Sequence, residues 1–202
     1  MREAEKSIER SVMEDIELIT VFKAGDKMAF DTLVLRHKDM VFNLCYRFLG
    51  DFQDANDTAQ DVFIKAYKAL KRFRAESSFS TWIYRIALNT CKNRIKSLEH
   101  RYREQTRSLD NPGKSGNDNP PMEIADDSPS PPEALESKER SMIIQKAIHS
   151  LPKAKKEMVL LRDMEGLSYE EIMNITGLNI GTVKSKIARA RSDLREKLKG
   201  VI

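Results

Sequence analysis

Asp51, Asp54, Asp57 and Asp61 set four carboxylates within eleven residues, with Gln53 and Gln60 among them and no basic side chain between. Such a group could hold a divalent cation or run acid–base chemistry. Both uses need companions: a histidine, an activated nucleophile, or a glycine loop that cradles phosphate. None stands nearby. Asp54, Asp57 and Asp61 fall at i, i+3 and i+7, so a helix would carry them on one face with Gln60 beside them. Carboxylates near a helix N-terminus are favoured by its dipole, which accounts for Asp51 and Asp54 as end groups. Asp61 lies two turns in, where that explanation stops. An acidic, amide-bearing row suits a basic protein surface better than it suits nucleic acid.

A second group has the opposite sign. Between 84 and 103 stand Arg85, Lys92, Arg94, Lys96, Arg101 and Arg103 against Glu99 alone, with the amides Asn89 and Asn93 among them. Just upstream, the stretch from Phe73 to Trp82 mixes aromatics, hydroxyls and Arg74 and reads as a loop. Cationic groups beside aromatics and amides suit single-stranded nucleic acid, where stacking contributes ~1–3 kcal/mol per base. Trp82 and Phe79 also fit a plainer role, Trp82 in the core and Phe79 as a hydrophobic staple with Ser80 as the helix cap.

The third group is C-terminal. Ser168 and Glu171 have the spacing of a capping box, and Gly177 can close a short helix in the left-handed region. Asn179 can then cap a second helix, with Val183, Ile187, Ala190, Leu194 and Leu198 on its inner face. The outer face centres on Ser185, flanked by Thr182, Arg189 and Ser192 and bordered by Lys184, Lys186 and Arg191. From 180 to 202 there are seven basic residues against two acidic ones. A short helix, a tight turn and a basic helix with small residues at its start (Gly181, Thr182) fit a DNA major groove. Solvated charge on a surface helix is the plainer alternative.

The elements that must position these groups are helical. Phe30, Leu33, Val34, His37, Val41, Leu44 and Cys45 recur at three- and four-residue steps. So do Ala55, Ala59, Val62, Phe63, Ala66 and Leu70, and again Trp82, Ile86 and Leu88-Asn89 through Ile95. No stretch alternates with period two, so the fold class expected is all-α. Six of seven prolines lie between Pro112 and Pro132, and 105–135 carries six acidic residues against two basic ones while both flanks are net basic. That composition buries too little apolar surface to offset its ordering. The expected organisation is thus a helical domain over 1–104, a flexible acidic linker over 105–135 and a second helical domain over 136–202. The longest apolar run, Met158–Leu161, is far short of a membrane span, and the charged N-terminus carries no export signal. Cys45 and Cys91 form no CxxC pair, and their placement on or beside apolar faces favours buried, inert thiols.

These segments together resemble a known family. Phe73-Arg74 and the run Ser78-Phe79-Ser80-Thr81-Trp82-Ile83-Tyr84-Arg85-Ile86-Ala87-Leu88-Asn89-Thr90 resemble region 2 of the extracytoplasmic-function (ECF) sigma factors of the sigma-70 family, as does the acidic run from Asp54 to Tyr67. Leu151-Pro152, the run from Leu161 to Ile172 and Gly181-Thr182-Val183-Lys184-Ser185-Lys186 resemble region 4, closest to the sigma-E-like members. Asn56 stands where the acidic motif commonly has Glu, and Asp61 replaces a frequent Glu.

The resemblance implies an initiation factor that binds core RNA polymerase and directs it to promoters, with an anti-sigma factor holding it in check, often in a stress or envelope response. It implies that Asp54, Asp57, Gln60 and Asp61 face the polymerase. The loop from Phe73 to Ser80 would capture a flipped base of the −10 element, with Asn89, Lys92, Asn93 and Arg94 along that element. Thr182, Lys184, Ser185, Lys186 and Arg189 would read or clamp the −35 duplex. A cytoplasmic protein is expected, with no enzymatic activity, metal, cofactor, small-molecule substrate or membrane insertion. The alternative is a helix-turn-helix regulator whose N-terminal domain senses a ligand or dimerises.

Overall fold

Glycine and short polar residues divide this chain into helices at positions where backbone groups need partners. The computed structural model of the protein describes residues 12–108 and 131–199, with side chains over 12–101 and 140–199. Among the described residues stand eight α-helices: α1 (Asp15–Lys23), α2 (Met28–Leu49), α3 (Phe52–Leu70), α4 (Phe79–Ser108), α5 (Pro131–His149), α6 (Lys153–Val159), α7 (Tyr169–Thr176) and α8 (Ile180–Leu198). A five-residue π-turn, Leu160–Met164, continues α6. There is no strand among these residues, as the periodicity requires.

Helix α4 runs to Ser108 and α5 begins at Pro131, so backbone at 105–108 and 131–135 is helical. Proline at a first helical turn breaks no internal hydrogen bond, which is why Pro131 and Pro132 are compatible with α5. The rest of the expected linker, 109–130, lies outside the described residues.

The N-terminal domain is α1 to α4. Helix α2 packs on α1, α3 and α4, and α3 on α4. Leu18, Ile19 and Phe22 meet Phe30, Leu33, Val41, Leu44 and Phe48, with Val62, Leu70, Ile83 and Leu88 completing the core. Three of the buried residues of α3 are alanines, Ala55, Ala59 and Ala66, and side chains of that size let helix axes approach closely. Cys45 and Cys91 are fully buried free thiols 3.6 Å apart. The hydrogen bond between them and burial push the Cys91 thiol far up, so it stays neutral.

On α4 the buried row is Ile83, Tyr84, Ala87, Leu88 and Cys91. Asn89 is exposed, and Trp82, Ile86 and Ile95 are half-buried. This row shares Leu88 with the one expected from Trp82, Ile86 and Leu88-Asn89 through Ile95, but is otherwise turned away from it, with Trp82, Ile86 and Ile95 at its edge. The cause is that α4 is covered on two sides: α2 and α3 lie against one, α7 of the C-terminal domain against another.

In the C-terminal domain α6 and α7 pack on α8. Met158, Val159, Leu160, Leu161, Ile172, Ile175, Val183, Ile187 and Ala190 are buried, and they join one continuous cluster with the N-terminal core.

Candidate nucleic-acid and protein interfaces

The acidic group lies on α3, as its spacing predicts. Asp51 caps the helix, its Oδ1 accepting from the Asp54 backbone N–H at 2.7 Å. Asp57 is about half exposed and accepts from Gln53 Nε2 at 3.2 Å. Gln60 and Asp61 face solvent. Asp54 differs: it accepts from Arg94 Nε at 3.0 Å, and the same guanidinium lies 3.9 Å from Asp57. The Asp54 hydrogen bond holds the Arg94 pKa up against a smaller opposing effect of burial. An expected polymerase-facing residue and an expected −10 residue are thus bonded to each other. The row left open is Asp57, Gln60 and Asp61.

The loop between α3 and α4 is built on aromatics. Phe73 and Phe79 are buried and Trp82 half-buried, with ring centroids 5.2 Å apart for Phe73–Trp82 and 5.7 Å for Phe79–Trp82. Lys23 Nζ, from the end of α1, donates to the Phe73 carbonyl at 2.6 Å. His37, bonded to Asp15 at 2.7 Å, sets its ring against Phe79 at 5.0 Å. The helix cap is Ser78 rather than Ser80: Ser78 Oγ accepts from the Thr81 N–H at 3.1 Å. Phe73 turns its ring into this cluster, so it forms the loop's floor, while Arg74, Ala75 and Glu76 are exposed. Ala75 sits at φ +57°, a left-handed conformation that costs a non-glycine residue ~1–3 kcal/mol and is common where backbone is held for function. Of the α4 residues, Asn89 and Asn93 are exposed. Lys92 is paired with Glu157 at 2.7 Å.

The helix-turn-helix forms as its local signals dictate. Ser168 Oγ accepts from the Glu171 N–H at 3.1 Å and Glu171 accepts in return from the Ser168 N–H at 2.8 Å. Gly177 closes α7 at φ +72°. Asn179 Oδ1 accepts from the Thr182 N–H at 2.8 Å and starts α8. Lys184, Ser185 and Arg189 are exposed in one row, with Thr182 and Lys186 half-buried beside it. Arg189 has no ion pair among the described residues, whereas Arg191 is bonded to Asp163. Tyr169 lies under two cations, Arg162 at 4.8 Å and Lys184 at 5.5 Å, an arrangement that steadies the start of α8. A basic row with small hydroxyls and an arginine that has no ion pair among the described residues, carried by a helix that Asn179 caps at its start, can hydrogen-bond base edges and neutralise phosphates.

Sequence reasoning missed a fourth set: Arg47, Gly50, Tyr84, His149, Lys156, Glu157 and Glu165, which join the two domains. Each looks ordinary in the sequence because its partner lies far along the chain, 118 positions away for Arg47 and 81 for Tyr84. No group of described His, Cys, Asp and Glu residues is arranged to hold a metal ion. Among the described residues no helix is long and apolar enough to cross a membrane.

Family models match two parts of the chain in the expected order: sigma-70 region 2 over residues 33–101 and sigma-70 region 4 over residues 141–194. The chain is 36% identical over 189 residues to the RNA polymerase sigma-H factor of Pseudomonas aeruginosa, covering 94% of this chain and 96% of that one. It is 37% identical over 187 residues to the ECF RNA polymerase sigma-E factor of Haemophilus influenzae, covering 91% and 95%. In fold it is similar to the sigma factor RpoE of Bartonella quintana, solved in complex with the anti-sigma factor NepR. That likeness has a TM-score of 0.62 at 23% identity and covers 85% of this chain and 97% of the other.

Proposed function

The chain belongs to the ECF sigma factors of the sigma-70 family, and from that premise we propose how its surfaces divide the work of initiation. It is a transcription initiation factor that associates with core RNA polymerase and directs it to promoters. The open α3 row, Asp57, Gln60 and Asp61, binds a basic helical surface of the polymerase. Asp54 takes part through its bond to Arg94, which fixes α3 against α4. The loop over Phe73, Phe79 and Trp82 receives a base from the −10 element, with Asn89, Lys92, Asn93 and Arg94 along the strand. Thr182, Lys184, Ser185, Lys186 and Arg189 engage the −35 duplex.

The N-terminal domain, 1–104, thus melts and reads, the C-terminal domain, 136–202, reads duplex, and 105–135 ties them together. Two modules on one tether gain affinity from effective concentration when a scaffold holds both in register, and polymerase is that scaffold. Flipping a base costs a few kcal/mol, which a protein pocket can return, so melting by this chain needs no catalytic residue or cofactor. It works in the cytoplasm, where the core polymerase it associates with acts. Control by an anti-sigma factor belongs to the same reading, supported by the fold shared with a sigma factor solved with one.

The observation that carries this division is an exposed acidic row on one domain and, on the other, an exposed basic row whose Arg189 has no ion pair among the described residues. Asp57→Lys with Asp61→Lys should abolish binding to core polymerase in a pull-down while leaving binding of the full chain to duplex DNA unchanged. Equal loss of both would refute the division.

A further inference from the structure

The loop between α3 and α4 turns through a left-handed residue without using glycine. Ala75 sits at φ +57°, and such a conformation persists only where its surroundings over-determine it. Arg74, Ala75 and Glu76 are exposed, so what fixes them acts from the loop's two ends. The far end is held locally: Ser78 Oγ accepts from the Thr81 N–H at 3.1 Å and lies 2.9 Å from the Ser80 hydroxyl. The near end is held from outside. Lys23 Nζ reaches from the last turn of α1 to the Phe73 carbonyl, 50 positions along the chain, and donates to it at 2.6 Å.

A lysine in the last turn of a helix ordinarily serves that helix, bonding its free carbonyls and offsetting its dipole. Here the end of α1 closes on its own backbone, with the N–H groups of Ala24, Gly25 and Asp26 donating to the carbonyls of Thr20, Phe22 and Val21. The ammonium goes to the loop instead, and a charged donor makes a stronger bond to a carbonyl than a neutral one. Held this way, the Phe73 carbonyl fixes the peptide plane that leads into Arg74 and Ala75.

The aromatic floor is braced from the same side. His37 on α2 sets its ring edge-on to Phe79, centroids 5.0 Å apart, and Phe79 in turn meets Phe73 at 6.4 Å. Asp15, in the first turn of α1, binds His37 Nε2 at 2.7 Å and accepts from Arg36 at 3.0 Å. The two ends of one nine-residue helix thus serve the two ends of the loop. Asp15 acts through His37 on Phe79, and Lys23 acts on Phe73.

We propose that Lys23, together with the Asp15–His37 pair, positions the base-receiving loop and so sets base selection at the −10 element, holding the open tip over Phe73, Phe79 and Trp82 in the conformation that accepts a flipped base. This rests on reading the loop as the −10 base receiver. Helix α1 then enters promoter choice through the loop rather than by contacting the captured base.

The test assembles the full chain with purified bacterial core polymerase, captures strands from a random-sequence pool of short single-stranded DNA and sequences the bound fraction. Relative to core polymerase alone, the unsubstituted protein should enrich one base strongly at one position of the aligned strands. In Lys23→Met that enrichment should collapse while the flanking preference stays. If the freed loop keeps the receiving conformation in about a tenth of the molecules, the collapse is about tenfold, because apparent affinity scales with the competent fraction. Lys23→Arg, which keeps a cationic donor, should restore it. Lys27→Met removes a charge from the adjoining turn and should leave it unchanged. His37→Ala should weaken enrichment at the same position through a different contact, so the outcome does not depend on one variant folding. Urea unfolding of each variant separates a lost loop from a lost fold.

Unchanged enrichment in folded Lys23→Met or His37→Ala would overturn the proposal. So would an equal loss at every position with the unfolding midpoint unmoved. Failure of the underlying −10 reading looks different: the unsubstituted protein would enrich no base over core polymerase alone, and the positioning role would fall with it.

Discussion

Arg189 illustrates how far a single residue can be argued. It stands outward on α8, a full turn past Ser185, with no ion pair among the described residues, while its neighbour Arg191 is committed to Asp163. A bidentate bond from Arg189 to a guanine edge would make Arg189→Ala cost ~1–3 kcal/mol on the preferred −35 sequence and little on others. A duplex competition assay over −35 variants reads this directly, and an equal loss on every sequence would make it a phosphate contact. At this scale the caps were legible in the sequence: Asp51, Ser168 with Glu171, Gly177 and Asn179 each act within a few residues of themselves. The pairs Arg94–Asp54, Lys23–Phe73 and Lys92–Glu157 were not, since 40, 50 and 65 positions separate their partners. Phe73 shows the same limit. Its type fits a base-stacking loop, but only its neighbours Phe79 and Trp82 decide that its ring turns inward.

Among the elements, the helix-turn-helix was the most readable, because its two caps and its turn are all local. Ser168 accepts the Glu171 N–H and Glu171 returns the bond, so Ser168→Ala should destabilise the full chain by ~0.5–2 kcal/mol in urea unfolding, the usual cost of a lost cap. Ser80→Ala, which removes the hydroxyl the spacing suggested as a cap, should cost less, because Ser78 caps α4. Helix α4 was the least readable. Its existence follows from its periodicity, but its phase follows from burial on two sides, and the second side is supplied by a domain beyond the acidic segment. The π-turn at Leu160–Met164 had no sequence signal. It carries the chain round to Glu165, whose carboxylate meets Tyr84 and Arg47. Burial first, and the Glu165 bond second, push the Tyr84 hydroxyl far above its ordinary pKa, so it remains a donor at any physiological pH.

For the whole molecule, fold class and the order of the two domains were legible, and their docking was not. Lys156 sits in a run with Lys153 and Lys155 that reads as solvated surface, yet the packing of the two domains buries it. Burial chiefly, and the charge of Lys153 next, bring its pKa from 10.5 down to about 8. The unfolded chain restores the ordinary value and holds the proton more tightly, so protonation works against folding. The penalty is complete below about pH 8 and fades as pH rises toward 10.5. His149 acts in the same sense at lower pH: burial, then the charge of Lys156, lower its pKa below 6.5, so acid destabilises the fold further. In urea unfolding of the full chain, Lys156 should therefore add stability as pH rises from about 8 toward 10.5, and in Lys156→Met that gain should be absent.

Run-off transcription with purified bacterial core polymerase on a pool of promoter fragments, with and without this protein, tests the central claim most directly. Initiation from a small set of start sites should depend on the protein and share two upstream elements, and Asp57→Lys with Asp61→Lys should remove it. Specific duplex binding by the protein alone, with no protein-dependent transcript from any fragment, would contradict the account and leave a helix-turn-helix regulator in its place.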